Sequence, residues 1–385
     1  MWALDLIHKK NLFNSNSLSE IKNELKKKLK WTTAATAVFD LSEDERILIE
    51  QIKEETNRLN RNNVTRTEAY LKFYMAHPEI HWAFLGHMVS RNGGWNMTDL
   101  KGDLFSNLLT EKEREAFFLF LERGNWLIFQ DVYPQFLLYE ESLRRKRCLF
   151  HLLHHFNVSA FMETIWNQFW KHGDPYILAV ALIINEQSYL EKRVVQNPIY
   201  KKSVIDTLEF KLQDILSLNH ILFPFKYRQS DDKALLIGQT LHHFSSLHER
   251  ILLGKRLYSL LFENRKRLQK IVDWAASQPH SGSRKDYWPH LFHDVRESLP
   301  GLLYKKRVRN CKLRKGERIY SPKLIYAWKD VPHKEAEIGD WFVDWKVIHY
   351  LNRQNCEADG EIMDEYCETI EKIELAILAK KIIFR

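Results

Sequence analysis

The chain has 385 residues, 45% of them hydrophobic and 28% charged, with 13 Gly and 10 Pro, which excludes a disordered or fibrous polymer and allows a large core or two domains. Its formal net charge of +8 is compatible with contact to nucleic acid or another anionic surface without requiring it. Four widely spaced cysteines, Cys148, Cys311, Cys356 and Cys367, suggest neither a disulfide framework nor a zinc module.

At the N-terminus, MWALDLIHKKN places an acid at position 5 and offers no apolar run before a cleavage site, so no export signal is read. Ser17 to Glu20 is a capping box, followed by the stripe Ile21, Leu25, Leu29 beside a run of lysines that forms the solvated face of a short helix. A second box, Ser42 to Glu45, opens a helix carrying Ile47, Leu48, Ile52 and Leu59. A third, Thr65 to Glu68, starts a helix with Ala69, Tyr70, Phe73 and Tyr74 that His77-Pro78 ends. The next helix, Glu79 to about Val89, is apolar nearly all round, which marks a central element. It runs into Ser90-Arg91-Asn92 and stops at Gly93-Gly94.

Thr110 to Glu113 is another box, and Pro134 breaks or bends the pattern that follows it. A helix to His155 carries Arg144, Arg145, Lys146 and Arg147. Asp174-Pro175, an N-cap with proline at the first helical position, starts a second wholly apolar helix, Tyr176 to Ile184. That apolar run is far short of the ~20 residues of a membrane span. Helical patterns continue from Pro198 to Trp274, broken around Phe223-Pro224-Phe225 and Gln229 to Asp232. Beyond Pro300-Gly301, residues 302 to 350 read as loops with short strands at Arg318 to Tyr320, Lys323 to Trp328 and Trp341 to Val343. A final amphipathic helix runs from Glu361 to Lys380.

The expected fold is mainly α, a multi-helix assembly with two central apolar helices and a less regular C-terminal region. Its divisions are a helical extension (1–40), a helical core (41–300), and a basic irregular region with the last helix (301–385), packed on the core. The two central helices share a pattern: Ser90-Arg91-Asn92 and Asn185-Glu186-Gln187 superpose at an offset of 95 residues. Were that weak similarity a repeat, Arg91 and Glu186 would meet as a buried ion pair.

Several strings resemble one family. Asn62 to Thr67, Trp82 to Leu85, Met88 to Leu100, Ile128 to Asp131 and Ile183 to Gln187 are similar to an uncharacterised domain-of-unknown-function family of Gram-positive bacilli. The likeness covers roughly residues 55 to 350, and Ser-Arg-Asn-x-Gly-Trp-Asn-Met is its specific signature. The resemblance implies an intracellular bacterial protein and supplies no catalytic residue.

Arg66, Arg91, Asn92, Trp95 and Asn96 are the candidate ligand-binding residues. Helix capping accounts for Thr65 and Thr98, but it does not call for guanidinium groups beside a buried helix, whereas two arginines near amides and a Trp suit bidentate recognition of a carboxylate or phosphate. Glu186, at the end of an apolar helix, is a weak candidate for a general acid in a lysozyme-like, glycan-acting site; the blander reading pairs it with Arg66, Arg91 or Arg193. His151 and His155 stand i, i+4, but no HExxH-like pattern frames them, and no metal or cofactor is expected. Phosphate-loop and nucleophile-elbow motifs are missing from the chain.

The alternative is a nucleic-acid-binding or interaction protein. Residues 302 to 329 hold ten Lys/Arg against the single acid Glu317, with aromatics interleaved. Lys305, Lys306, Arg307, Arg309, Lys312 and Arg314 would contact phosphates, unless the segment folds back on an acidic neighbour such as Glu335 to Asp344. The expected compartment is the cytoplasm. Possible partners are an anionic or polar ligand and a nucleic acid; oligomeric state is not legible.

Overall fold

The computed structural model describes residues 15–31, 41–207, 210, 220–226, 234–296, 304–309, 312–353 and 360–383. The N-terminal leader reading, the break at 229–232, Pro300-Gly301, Cys311 and Cys356 lie outside them.

Local chemistry sets most helix starts. Helix α1 (Ser15–Trp31) already includes Ser17, so that box lies inside the helix and is not its cap. Ser42 and Glu45 cap each other at the start of α2 (Glu43–Leu59). The cap of α3 (Asn63–Ala76) is Asn62, not Thr65: its side-chain oxygen accepts from the amides of Val64 at 3.1 Å and Thr65 at 3.2 Å, while Thr65 accepts from the Asn62 amide. Asn suits this position as well as a hydroxyl does.

Helix α4 runs from His81 to Asp99, straight through the glycine pair expected to stop it. A Cβ on Gly94 would meet Asn63 and lie 2.6 Å from His280 Nε2. This glycine therefore marks close packing rather than termination, and the contact offsets a helix-propensity cost of about 1 kcal/mol. Gly94→Ala is expected to destabilise the protein by about 1–3 kcal/mol through overpacking, as read by urea unfolding; a neutral or stabilising result would overturn this account.

A short helix α5 (Phe105–Leu108) precedes α6 (Glu111–Arg145), which Thr110 and Glu113 cap and which continues through Pro134. Phe129, Val132, Phe136 and Leu138 are fully buried on either side of the proline, and that burial outweighs the lost backbone bond, a cost of about 3 kcal/mol. The chain leaves α6 at left-handed Lys146, so His151 and His155 fall on a separate 3-10 turn, Phe150–Phe156, and not on one α-helical face. Next come α7 (Ala160–His172) and α8 (Pro175–Leu190), the latter capped by Asp174. Helix α8 passes into a π-helical turn, Glu191–Val195, followed by short α9 (Pro198–Tyr200) and a second π turn, Lys201–Ile205.

The helical pattern expected from Pro198 to Trp274 is then interrupted by an antiparallel hairpin, β1 (His220–Phe225) and β2 (Leu235–Thr240). Both outer edges of the hairpin are managed. On β1 the side chain of Asn92 bonds both backbone groups of Leu222, and Pro224, two residues on, has no donor to leave unpaired. On β2 the Gly238 amide donates to the Gly360 carbonyl at 2.9 Å. Helices α10 (Leu247–Phe262) and α11 (Arg265–Ser277) follow.

The C-terminal region contains two-residue strands: β3 (Phe292–His293) beside β6 (Ile319–Tyr320), and β4 (Val308–Arg309) against β5 (Lys312–Leu313). Of the expected strands, Arg318 to Tyr320 forms β6, Lys323 to Trp328 is instead the helical turn α12 (Leu324–Ala327), and Trp341 to Val343 has no regular structure. The Trp328 indole donates to the Met97 carbonyl and stacks on Phe118. Buried Glu374 on α13 (Met363–Ile383) accepts from Tyr304 and from the amides of Arg307 and Val308, holding β4 in place.

The fold is mainly α. One cluster of buried apolar side chains extends from Ile21 to Ile377. Helices α4 and α8 pack on each other, and both contact α6 and α10. No helix among the described residues is long and apolar enough to cross a membrane. Cys148 is a free thiol and Cys367 is disulfide-bonded; the cysteine spacing suggested no disulfide framework, because spacing along the chain does not say which thiols folding brings together.

Candidate functional site

Each helix around the centre presents a stripe at i, i+3/i+4, i+7 spacing. The stripes are Trp82, Gly86 and Val89 on α4; Leu121, Gly124 and Ile128 on α6; Ile183, Gln187 and Leu190 on α8; and Arg250, Gly254 and Leu257 on α10. Such stripes normally interdigitate to fill the interior. Here they line a half-open chamber of about 240 Å³, completed by residues that include Arg66 and Tyr70 of α3, Ile221 of β1 and Val194 and Val195 of the π turn.

Glycine in three of the four stripes helps to explain the space. A Cβ on Gly86 would lie 2.7 Å from the Trp82 ring and one on Gly254 2.6 Å from Ile183, so both glycines admit a neighbour; around Gly124 a Cβ would meet nothing within 4 Å. Interior glycines on otherwise apolar helices are visible in the sequence and are the signal that points to this chamber; the sequence reading did not use them.

The polar groups of the wall are few. Glu186 lies deep in the molecule but keeps accessible surface because it faces the chamber. It accepts hydrogen bonds from Gln187 Nε2 at 2.5 Å and from the side chain of Trp82. Burial pushes its carboxyl up to about 7, against the lowering effect of those two donors and of Arg250. The Gln187 oxygen accepts from Arg250 Nε at 2.9 Å, and Arg250 also pairs with Glu191 and donates to the Phe244 carbonyl. Arg66, 1% exposed, pairs with Glu122 at 2.6 Å and donates to Asn60 at 3.2 Å. Behind Glu186, buried Asp131 accepts from Asn185 and Gln135, and burial pushes it up to about 7 as well.

Of the residues singled out in the sequence, Arg66 and Glu186 line the chamber, whereas Arg91, Asn92, Trp95 and Asn96 are not among its lining residues. Arg91 does not pair with Glu186. Its guanidinium donates to the carbonyls of Gln278 at 2.7 Å and Pro279 at 3.4 Å, and lies over the Trp274 ring at 4.5 Å. It thus fastens to α4 the chain that leaves α11, a task for which the several donors of a guanidinium suit it. Asn92 binds β1, as described. Trp95 is buried beneath Arg284, which pairs with Asp99, and Asn96 is half-buried. Thr98 donates to the Gly282 carbonyl at 2.6 Å. The signature string therefore docks residues 278–284 and β1 onto α4.

Glu186 forms no ion pair with Arg66, Arg91 or Arg193; Arg193 donates to the carbonyls of Glu337 and Gly339. His151 accepts or donates at Glu45, on α2. In the basic segment, Lys306 pairs with Glu371 and Arg307 with Asp103, in place of the expected neighbour at 335–344. Lys305, Arg309, Lys312 and Arg314 are exposed.

The geometry thus defines a class, a mainly α protein built around a mostly apolar chamber with one inward-facing carboxyl. Over residues 58–370 the chain matches the family model described as Protein of unknown function (DUF2515), and it belongs to that family. It is similar to the Uncharacterized protein YppC of Bacillus subtilis (strain 168), with 39% identity over 311 residues, covering 80% of this chain and 94% of that protein. No solved structure matches the chain.

Proposed function

We propose that this protein binds a small, mostly apolar molecule in the chamber between α4, α6, α8 and α10, with Glu186 and Gln187 as its polar contacts and Arg66 in the wall. The observation that carries this reading is the chamber itself. It offers about 240 Å³ among mostly apolar side chains, room enough for a small molecule, since an engineered cavity of about 150 Å³ takes up benzene. The π-helical turn that continues α8 along the wall supports it, since such turns recur at functional sites. Of the sequence-derived set, the proposal keeps Arg66 and Glu186; Arg91 and Asn92 are engaged in internal bonds, Trp95 packs under Arg284, and Asn96 does not line the chamber. Glycan cleavage ordinarily uses two carboxyl groups, and among the described residues Glu186 is the one carboxyl of the lining, so binding of a small molecule is preferred here. We propose the cytoplasm as the compartment, to be checked by cell fractionation.

Gly124 gives the test. Gly124→Ala places a methyl group in open space within a helix and is expected to stabilise the fold by about 0.5–1 kcal/mol. Gly124→Leu sends a larger side chain into the chamber. Benzyl alcohol is expected to raise the melting temperature of the wild type and of Gly124→Ala and to change the fluorescence of Trp82, with both responses lost in Gly124→Leu. Equal responses in the wild type and Gly124→Leu would sink the proposal.

A further inference from the structure

We infer that the chamber selects a primary amine, whose ammonium group docks on Glu186 while its apolar body fills the space between the helices. The inference rests on the reading above that the chamber takes a small molecule.

The charges around the chamber carry the argument. Its two cations are already matched: Arg66 by Glu122 at 2.6 Å, and Arg250 by Glu191. Glu186 has only neutral donors, Trp82 and Gln187. Among the described residues the wall therefore has a carboxyl in excess. Gln187 cannot turn to relieve this, because its oxygen is engaged by Arg250, which leaves its amide N–H to face Glu186. An anionic ligand would meet the Glu186 carboxyl beside guanidinium charges already neutralised by Glu122 and Glu191, with buried Arg66 Nε as the one guanidinium nitrogen of Arg66 left without a partner among the described residues. An ammonium group brings the balancing charge and three donors, and a charge-assisted bond to a carboxylate is a strong one.

The groups facing Glu186 act on its proton in both directions. Tyr70 and Arg66 on α3 and Arg250 on α10 stand on one side, and Asp131 on α6, itself favourable to a cation, on another. Burial raises Glu186 to about 7, so its carboxyl is mostly neutral at pH 6 and mostly ionised at pH 8. The incoming amine, still protonated at both, displaces that proton, and its affinity rises with pH.

Isothermal titration of the full chain with benzylamine, benzyl alcohol and benzoate, at pH 6 and pH 8, tests the inference. In the wild type at pH 8, benzylamine is expected to bind about tenfold more tightly than benzyl alcohol, and to gain about tenfold between pH 6 and pH 8. Glu186→Gln is expected to remove both the preference and the pH dependence, with an unchanged circular dichroism spectrum and cooperative thermal unfolding showing that the fold is intact. Benzyl alcohol binding without an amine preference, or a preference that survives in Glu186→Gln, overturns the inference and leaves the chamber as a binding site. Failure of all three compounds to bind, or equal binding by Gly124→Leu, overturns both.

Discussion

Arg66→Met is expected to lower unfolding free energy by about 3–5 kcal/mol, because it leaves a carboxylate buried without its cation. Arg66 and Glu122 are 1% and 3% exposed and bond at 2.6 Å, on helices whose sequence positions are 56 residues apart. His333 Nε2 lies 3.5 Å from the second Glu122 oxygen and is a poor substitute for a guanidinium. The pair itself is a different quantity from the cost of breaking it: desolvation of both ions consumes most of their attraction. The double variant Arg66→Met/Glu122→Leu is therefore expected to recover most of the loss, giving a large coupling energy in a double-mutant cycle. Denaturant unfolding of the four proteins measures it. A single-variant loss below about 1 kcal/mol, or losses that simply add, would contradict a buried, mutually dependent pair.

Asn92→Leu is expected to cost about 2–4 kcal/mol, since both backbone groups of Leu222 lose their partner and each unmet buried group costs about 1–3 kcal/mol. Asn92 is 2% exposed; its amide donates to the Leu222 carbonyl at 3.0 Å and its oxygen accepts from the Leu222 amide at 2.9 Å. It thereby occupies the edge of β1 as a neighbouring strand would. The loss has a local signature: the Leu222 amide should exchange with solvent faster, while amides of α1, remote from the hairpin, keep their protection relative to global stability. A near-neutral substitution with Leu222 still protected would show that another group holds this edge. Ile221 lines the chamber, so the same contact also positions part of its wall.

The boundaries that were legible in the sequence are made by residues close along the chain. Ser42 with Glu45, Thr110 with Glu113, and Asp174 before Pro175 start their helices as read, because a cap satisfies amides of its own first turn. Two other local boxes, at Ser17 and Thr65, were placed two or three residues late, and the larger misreadings depend on distant partners. Gly93-Gly94 looks like a stop, and only Asn63 and His280, packed against Gly94, reveal it as a contact surface. The hairpin of β1 and β2 lay within an apolar run whose period does not separate a buried strand from a buried helix. The signature string was visible as an unusual polar cluster, but the partners of Arg91, Asn92 and Thr98 lie more than 100 residues downstream, at Gln278, Leu222 and Gly282. Its likeness to a recognition site came from residue types alone.

By itself the sequence determined a mainly α fold, its family, the central position of α4 and α8, and the presence of Glu186 at the end of an apolar run, since periodicity, caps and signature strings are written along the chain. Only tertiary structure decided which polar residues are consumed by internal bonds and which face open space. A chamber is what four helices together leave unfilled, and each stripe alone reads as ordinary core. The same is true of charge: Arg66 reads as a free cation until Glu122 is seen against it, and that pairing, with Arg250 held by Glu191, leaves Glu186 as the group a ligand would meet.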